Sequence, residues 1–167
     1  MAINSHQATR IDIDYSSMEL KLKKYLDERN DVIMVLSTSS NNTVLSRSVW
    51  IANKGLDLYF FTWAYSRKCL QISTNPNVSL CQDKVEIEGI AGLVGPMFSA
   101  ETTGILDLFR SKDPDAIKQW ECKPSMVIYH ISPVFACVDA YKEQDNVFYE
   151  YIDFQKRVAW KENWAYK

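Results

Sequence analysis

Apolar positions in this chain come in short bursts more than in long helical stripes. "VIMVLST" (32–38) is a continuous apolar run, too short for a typical helix and rich in β-formers, so it reads as a buried strand. "SSNN" predicts a turn and "TVLSRSVWI" (43–51) the returning partner strand; "ANKG" predicts a second tight turn before "LDLYFFT" (56–62). Further strands are predicted at "NVSLCQ" (77–82), "KVEIEGIAGLVG" (84–95), "SMVIYHI" (125–131) and "PVFACVDAY" (133–141). Pro133 then stands at a strand start, where its missing N–H is harmless. "NVFYEYIDF" reads as a last strand or an arm, and the tail "RVAWKENWAYK" shows no clear period.

Helical period appears in three places. In "SSMELKLKKYLDERN", Met18, Leu22, Tyr25 and Leu26 form one apolar stripe, and Ser16 with Glu19 fits a capping box. "YSRKCLQISTNP" predicts a short helix over 66–75, with a serine start and an Asn-Pro stop. The segment 97–120 reads as two helical pieces broken near "SKDPD". Six or seven short strands in hairpin-like succession, with few helices, predict a mainly β fold, an antiparallel barrel. The 167 residues make one domain, with a polar N-terminal arm over 1–15 and a C-terminal arm over 142–167. There is no repeat and no linker.

Composition narrows the function. A formal net charge of -2 argues against sequence-independent nucleic-acid binding, which needs a basic face. Cys69, Cys81, Cys122 and Cys137 form no CxxC pair and have no histidine at zinc spacing, so neither a metal site nor a disulfide framework is expected. Cys81 and Cys137 read as small core residues. Without a signal peptide or an apolar run near membrane length, the chain is expected to be cytoplasmic, with no membrane partner. Small barrels bind ligands at mouths or seams. No GxGxxG or GxxxxGK[ST] occurs, so a nucleotide would need another phosphate cradle.

The chemistry gathers around "YSRK". Arg67 and Lys68 fall in the first turn of a predicted helix, where cations oppose the positive end of the helix dipole. Thr62, Ser66, Arg67, Lys68 and the helix N-terminus lie within seven residues of sequence, combining hydroxyls, charge and free N–H groups. This is either an anion site or a solvated charge pair behind an N-cap serine. Arg47 shares a strand face with Leu45, Val49 and Ile51, so it is either an edge arginine with its head in water or a partner for an anion. His130 reads as a partly buried structural histidine, His6 lies in the arm, and Glu86 and Glu88 form the solvated side of a half-buried strand. No nucleophilic triad can be assembled, and no side chain declares itself a catalytic acid or base. Trp160, Trp164 and Tyr166 form an aromatic tail suited to core or interface packing.

The ordered set "VIMVLST", "RSVW", "LYFFT", "SRK", "NPNVSL" and "VEIEG" resembles the flavin-binding split-barrel proteins related to pyridoxamine 5'-phosphate oxidase. The similarity covers roughly residues 20–140 and is strongest from 32 to 95. It implies a six- or seven-stranded antiparallel split barrel and a homodimer with FMN in clefts between subunits. It implies that Arg47, Ser48, Val49 and Trp50 line the flavin, that Phe61 and Thr62 touch it, and that Ser66, Arg67 and Lys68 hold its phosphate. Lys84, standing where the family has a glutamine before "VEIEG", with Gln82 close by, joins the cofactor set. A phosphate would explain why two cations are tolerated at a helix start. The family's lysine beyond the return-strand arginine is missing, with Ala52 or Asn53 near that place, and its C-terminal substrate block has no match. The resemblance therefore carries the cofactor and does not carry the oxidation of pyridoxine phosphate. It implies an FMN-dependent oxidoreductase exchanging hydride with a small-molecule substrate or nicotinamide donor. A non-catalytic flavin carrier or sensor is the alternative. The residues alone leave open FMN against another flavin or haem.

Overall fold

A computed structural model describes residues 9–29, 33–120, 123, 125–143 and 146–165. His6, Cys122 and Tyr166 lie outside the described residues. The elements run β1 (Thr9–Ile13), α1 (Tyr15–Glu28), β2 (Ile33–Ser40), β3 (Thr43–Lys54), β4 (Asp57–Trp63) and α2 (Arg67–Thr74). They continue with β5 (Asn77–Gln82), β6 (Val85–Pro96), a 3-10 turn (Ala100–Thr102), α3 (Thr103–Lys112) and α4 (Pro114–Lys118). Three strands end the chain, β7 (Met126–Glu143), β8 (Asn146–Asp153) and β9 (Val158–Ala165). No helix among the described residues is long and apolar enough to cross a membrane.

The strands form one sheet in the order β1-β9-β8-β7-β4-β3-β2-β5-β6, and a further pairing of β6 with β7 closes six of them into an antiparallel barrel. The hairpins obey their turn chemistry. Asn41 and Asn42 both take positive φ, which lets a two-residue turn match the strand twist of β2 and β3. Alternate residues of each strand point inward, so Leu36, Ile51, Phe60, Leu80, Ile87 and Ile131 fill the barrel. Met18, Leu22 and Leu26 of α1 complete this core, as their helical spacing predicts.

Three expectations are corrected. Helix α1 starts two residues early, because the Asp14 carboxylate, and not Ser16, accepts from an orphan N–H, that of Ser17, at 2.7 Å. Cys81 is only half-buried, whereas Cys137 is buried and its thiol is pushed up to about 11, by burial first and then by Glu86. The two strands expected on either side of Ser132 are one strand, β7, and Pro133 lies inside it.

The topology explains why Pro133 is tolerated there. Along one edge β7 pairs with β4 through Met126–Ile131 and with β8 from Phe135 onward. Pro133 sits at the changeover, where no ladder needs its N–H on that side. On the other edge it faces Gly89, beside an irregularity between Glu88 and Gly89. From this joint β8, β9 and β1 leave the barrel as an extension. There Phe135, Tyr151 and Trp160 contact one another, and the Arg10 guanidinium lies 4.2 Å above the Trp160 ring.

Candidate functional site

Strands β3 and β4 pair only from Ile51↔Phe60 to Lys54↔Asp57. Before Ile51, β3 follows β2; after Phe60, β4 follows β7. The barrel wall therefore parts between Ser48–Trp50 and Phe61–Trp63, and the gap is a cleft of about 310 Å³. That is at the lower end of the range for small-molecule sites. Ser48, Val49, Trp50, Phe61, Thr62 and Lys68 all line it. Its floor is a second apolar cluster, in which Met97, Leu106, Phe109 and Ile117 of the helical segment pack with Met126 and Ile128. Trp50, Phe61 and Trp120 rest on this cluster.

The polar end of the cleft is the start of α2. Ser66 has N-cap dihedrals but makes no side-chain cap; its hydroxyl instead accepts from Thr62 Oγ1 at 3.4 Å and lies 3.2 Å from Cys69 Sγ. The N–H groups of Arg67 and Lys68 have no acceptor among the described residues, as the first turn of a helix dictates. Lys68 Nζ donates to Thr62 Oγ1 at 2.8 Å. Burial, then the Arg47 charge, holds the Lys68 ammonium below the usual lysine range.

Arg47 stands one layer behind the cleft, on the inward face of β3. Its guanidinium donates to Thr38 Oγ1 at 2.6 Å, to Gln71 Oε1 at 3.3 Å and to the Leu36 carbonyl at 3.4 Å. Gln71 Nε2 in turn donates to the Thr43 carbonyl at 3.0 Å, which ties α2 to the first hairpin. Burial and then the Arg67 charge hold the Arg47 guanidinium's pKa below the usual arginine range. Arg67 itself is exposed. Among the described residues no carboxylate pairs with Arg47, Arg67 or Lys68. Three cations thus share one corner with hydroxyls and free N–H groups, an arrangement suited to an anion.

Lys84 is not brought to this site; it lies exposed in the β5–β6 turn. His130 bonds Asp57 Oδ1 at 2.8 Å and is not in the cleft, and Glu86 and Glu88 are exposed. No cluster of three or more His, Cys, Asp or Glu able to hold a metal occurs among the described residues. Sequence reasoning missed Gln71, which looks like a surface residue of an amphipathic helix until Arg47 is seen opposite it. It also missed Trp63, Gln119 and Trp120 in the cleft wall. A tryptophan following the helical segment was the only available signal for Trp120.

Comparison with solved structures places the fold. The chain is similar to a pyridoxamine 5'-phosphate oxidase-related, FMN binding protein from Nostoc punctiforme (TM-score 0.53, 14% identity, covering 88% of this chain and 94% of that one). It is similar to a FAD-binding protein from Mesorhizobium loti (0.53, 14%, covering 94% and 98%) and to HutZ, a heme storage protein from Vibrio cholerae (0.57, 13%, covering 70% and 89%). At these identities the likeness establishes a shared fold, the split barrel. No protein-family model matches the sequence, and no curated protein does either.

Proposed function

We propose that the chain is an FMN-binding flavoprotein that works as an oxidoreductase on a small-molecule substrate or a nicotinamide donor. One observation carries the reading: the cations Arg47, Arg67 and Lys68, free of any carboxylate among the described residues, adjoin an aromatic cleft opened by the parting of β3 and β4. A phosphate-bearing flat molecule matches both ends of that cleft. Bound FMN would supply hydride exchange at its ring, and the protein would hold the phosphate, orient the ring and exclude water. Thr62, Ser66, Arg67 and Lys68 would hold the phosphate, with Arg47 fixing α2 behind them. Flavin binding is also the chemistry of the Nostoc and Mesorhizobium proteins. Haem fits less well, because His130, the only histidine among the described residues, is engaged by Asp57 away from the cleft. A homodimer in the cytoplasm belongs to the same reading.

A non-catalytic flavin carrier is the second reading. It is favoured by the cleft lining, which among the described residues offers no His, Asp, Glu, Tyr or Cys for proton transfer. Both readings are tested by the absorption spectrum of purified protein mixed with excess FMN and dialysed. About one retained flavin per chain is expected, and Arg67→Ala/Lys68→Ala should weaken FMN by roughly a hundredfold to ten-thousandfold, two charge-assisted hydrogen bonds at about 1.5–3 kcal/mol each. Riboflavin, which has no phosphate, should bind wild type and double variant alike. A colourless protein after dialysis defeats both readings. Reduction of the bound flavin by NADH or NADPH then separates enzyme from carrier.

A further inference from the structure

The cleft has an aromatic end that the phosphate chemistry does not use. Trp120 follows α4, its N–H donating to the Ile117 carbonyl at 2.9 Å, and Ile117 is fully buried in the second apolar cluster. The Trp120 ring is therefore held in place from below. Its centroid lies 6.1 Å from that of Phe61 and 6.1 Å from that of Trp63, the latter edge-on at 78°. Trp63 is 42% exposed, and Trp120 is half-exposed above a packed core. Core packing explains the buried part of these rings and not the part left open. Large aromatic rings left partly open beside a cleft mark a surface that another apolar group covers.

We propose that Trp120 is a ring-binding residue, by which the helical segment between β6 and β7 closes the cleft over the planar part of its ligand. The inference rests on the flavin reading, and it assigns the second half of the ligand to a part of the chain outside the region of family resemblance that is strongest. Lys68 and Trp120 line one continuous cleft of about 310 Å³. A ligand anchored by its phosphate at Lys68 and filling that volume lies against Trp120. Besides Lys68 the described lining is uncharged, which suits a neutral ring there. Burying an aromatic face against another replaces poorly bonded water and adds a ring–ring contact.

The test separates the two ends by comparing FMN with riboflavin. Trp120→Leu keeps the apolar bulk over Ile117 and removes the ring. It should weaken FMN and riboflavin by the same factor, about two- to tenfold, which is the scale of one aromatic pair. Trp120→Phe should restore most of the affinity for both. Arg67→Ala/Lys68→Ala should show the opposite signature, a loss confined to FMN. Unchanged affinity in Trp120→Leu overturns the inference and leaves the flavin reading standing. A loss for FMN alone also overturns it, because the residue would then act through the phosphate end. Failure of wild-type protein to bind either flavin overturns the flavin reading and this inference together. Circular dichroism melts of the variants identify any that does not fold, and Trp63→Ala, at an exposed ring, then carries the same comparison.

Discussion

Lys68 is held in a place that penalises its charge. Burial and the Arg47 guanidinium both favour the neutral amine, so its folded pKa lies below the unfolded value of 10.5. In the window just below 10.5 the folded chain then binds fewer protons than the unfolded chain, and stability contributed by this group rises with pH. At neutral pH the ammonium is a cost to folding. Lys68→Met, which removes the charge and keeps the stem, should therefore melt higher than wild type in ligand-free protein at neutral pH. The gap should narrow as pH climbs toward 10.5 and should reverse when FMN is added, since the anion then offsets the cationic corner. Melting midpoints across the pH range, with and without FMN, measure all three. A gap that widens with pH would rule out depressed ionisation of Lys68 as its cause.

At the scale of elements, the joint in β7 is the feature on which the architecture turns. A Cβ placed on Gly89 would meet Ile131 Cγ2 at 2.6 Å and the Ser132 carbonyl oxygen at 2.9 Å, so β6 approaches β7 more closely there than a side chain allows. Gly89→Ala should lower stability by about 1–3 kcal/mol in urea unfolding, the usual cost of overpacking. Gly89 is not in the cleft wall, so flavin affinity well below the unfolding transition should stay as in wild type. An unchanged urea midpoint would mean that β6 and β7 separate freely at this point. The joint was not legible in the sequence, because the rule that proline starts or borders a strand holds only where both edges carry a ladder. The extension was illegible for a related reason. Residues 146–151 of β8 are half-buried on both faces, with Lys21 of α1 bonding Glu150 on one and Tyr149 stacking on Tyr151 on the other. Alternation cannot show in a strand covered from both sides. By contrast β2 and β4 alternate between core and outside, β3 does so up to Ile51, and all three could be placed as strands from their short apolar runs and turns. The phosphate end of the site was legible because it is local in sequence, from Thr62 to Lys68. The Gln71 and Trp120 contributions were not, because each depends on a partner brought from another strand or from a distant helix.

For the whole molecule, the open side of the cleft bears on assembly. The outer face of β2, β3 and β5 beside it carries the small side chains Ser37, Ser46 and Ser79, and among them stand Val35 and Val44, 41% and 65% exposed. Val35 pairs across the strands with Ser48, a residue of the cleft wall, and with Cys81. A flat face of small and β-branched residues lets a second copy approach closely, and a copy seated there would wall off the cleft that one chain leaves open. The homodimer we propose should therefore run at close to twice the 19.3 kDa chain mass in analytical ultracentrifugation. Val35→Arg puts a charge at the centre of the face without touching the core, so it should give a folded monomer with weakened FMN binding. The coupling of those two losses is the discriminating result. A wild-type protein that sediments as a monomer while keeping FMN through dialysis would show that β3, β4, α2 and the helical segment complete the site within one chain.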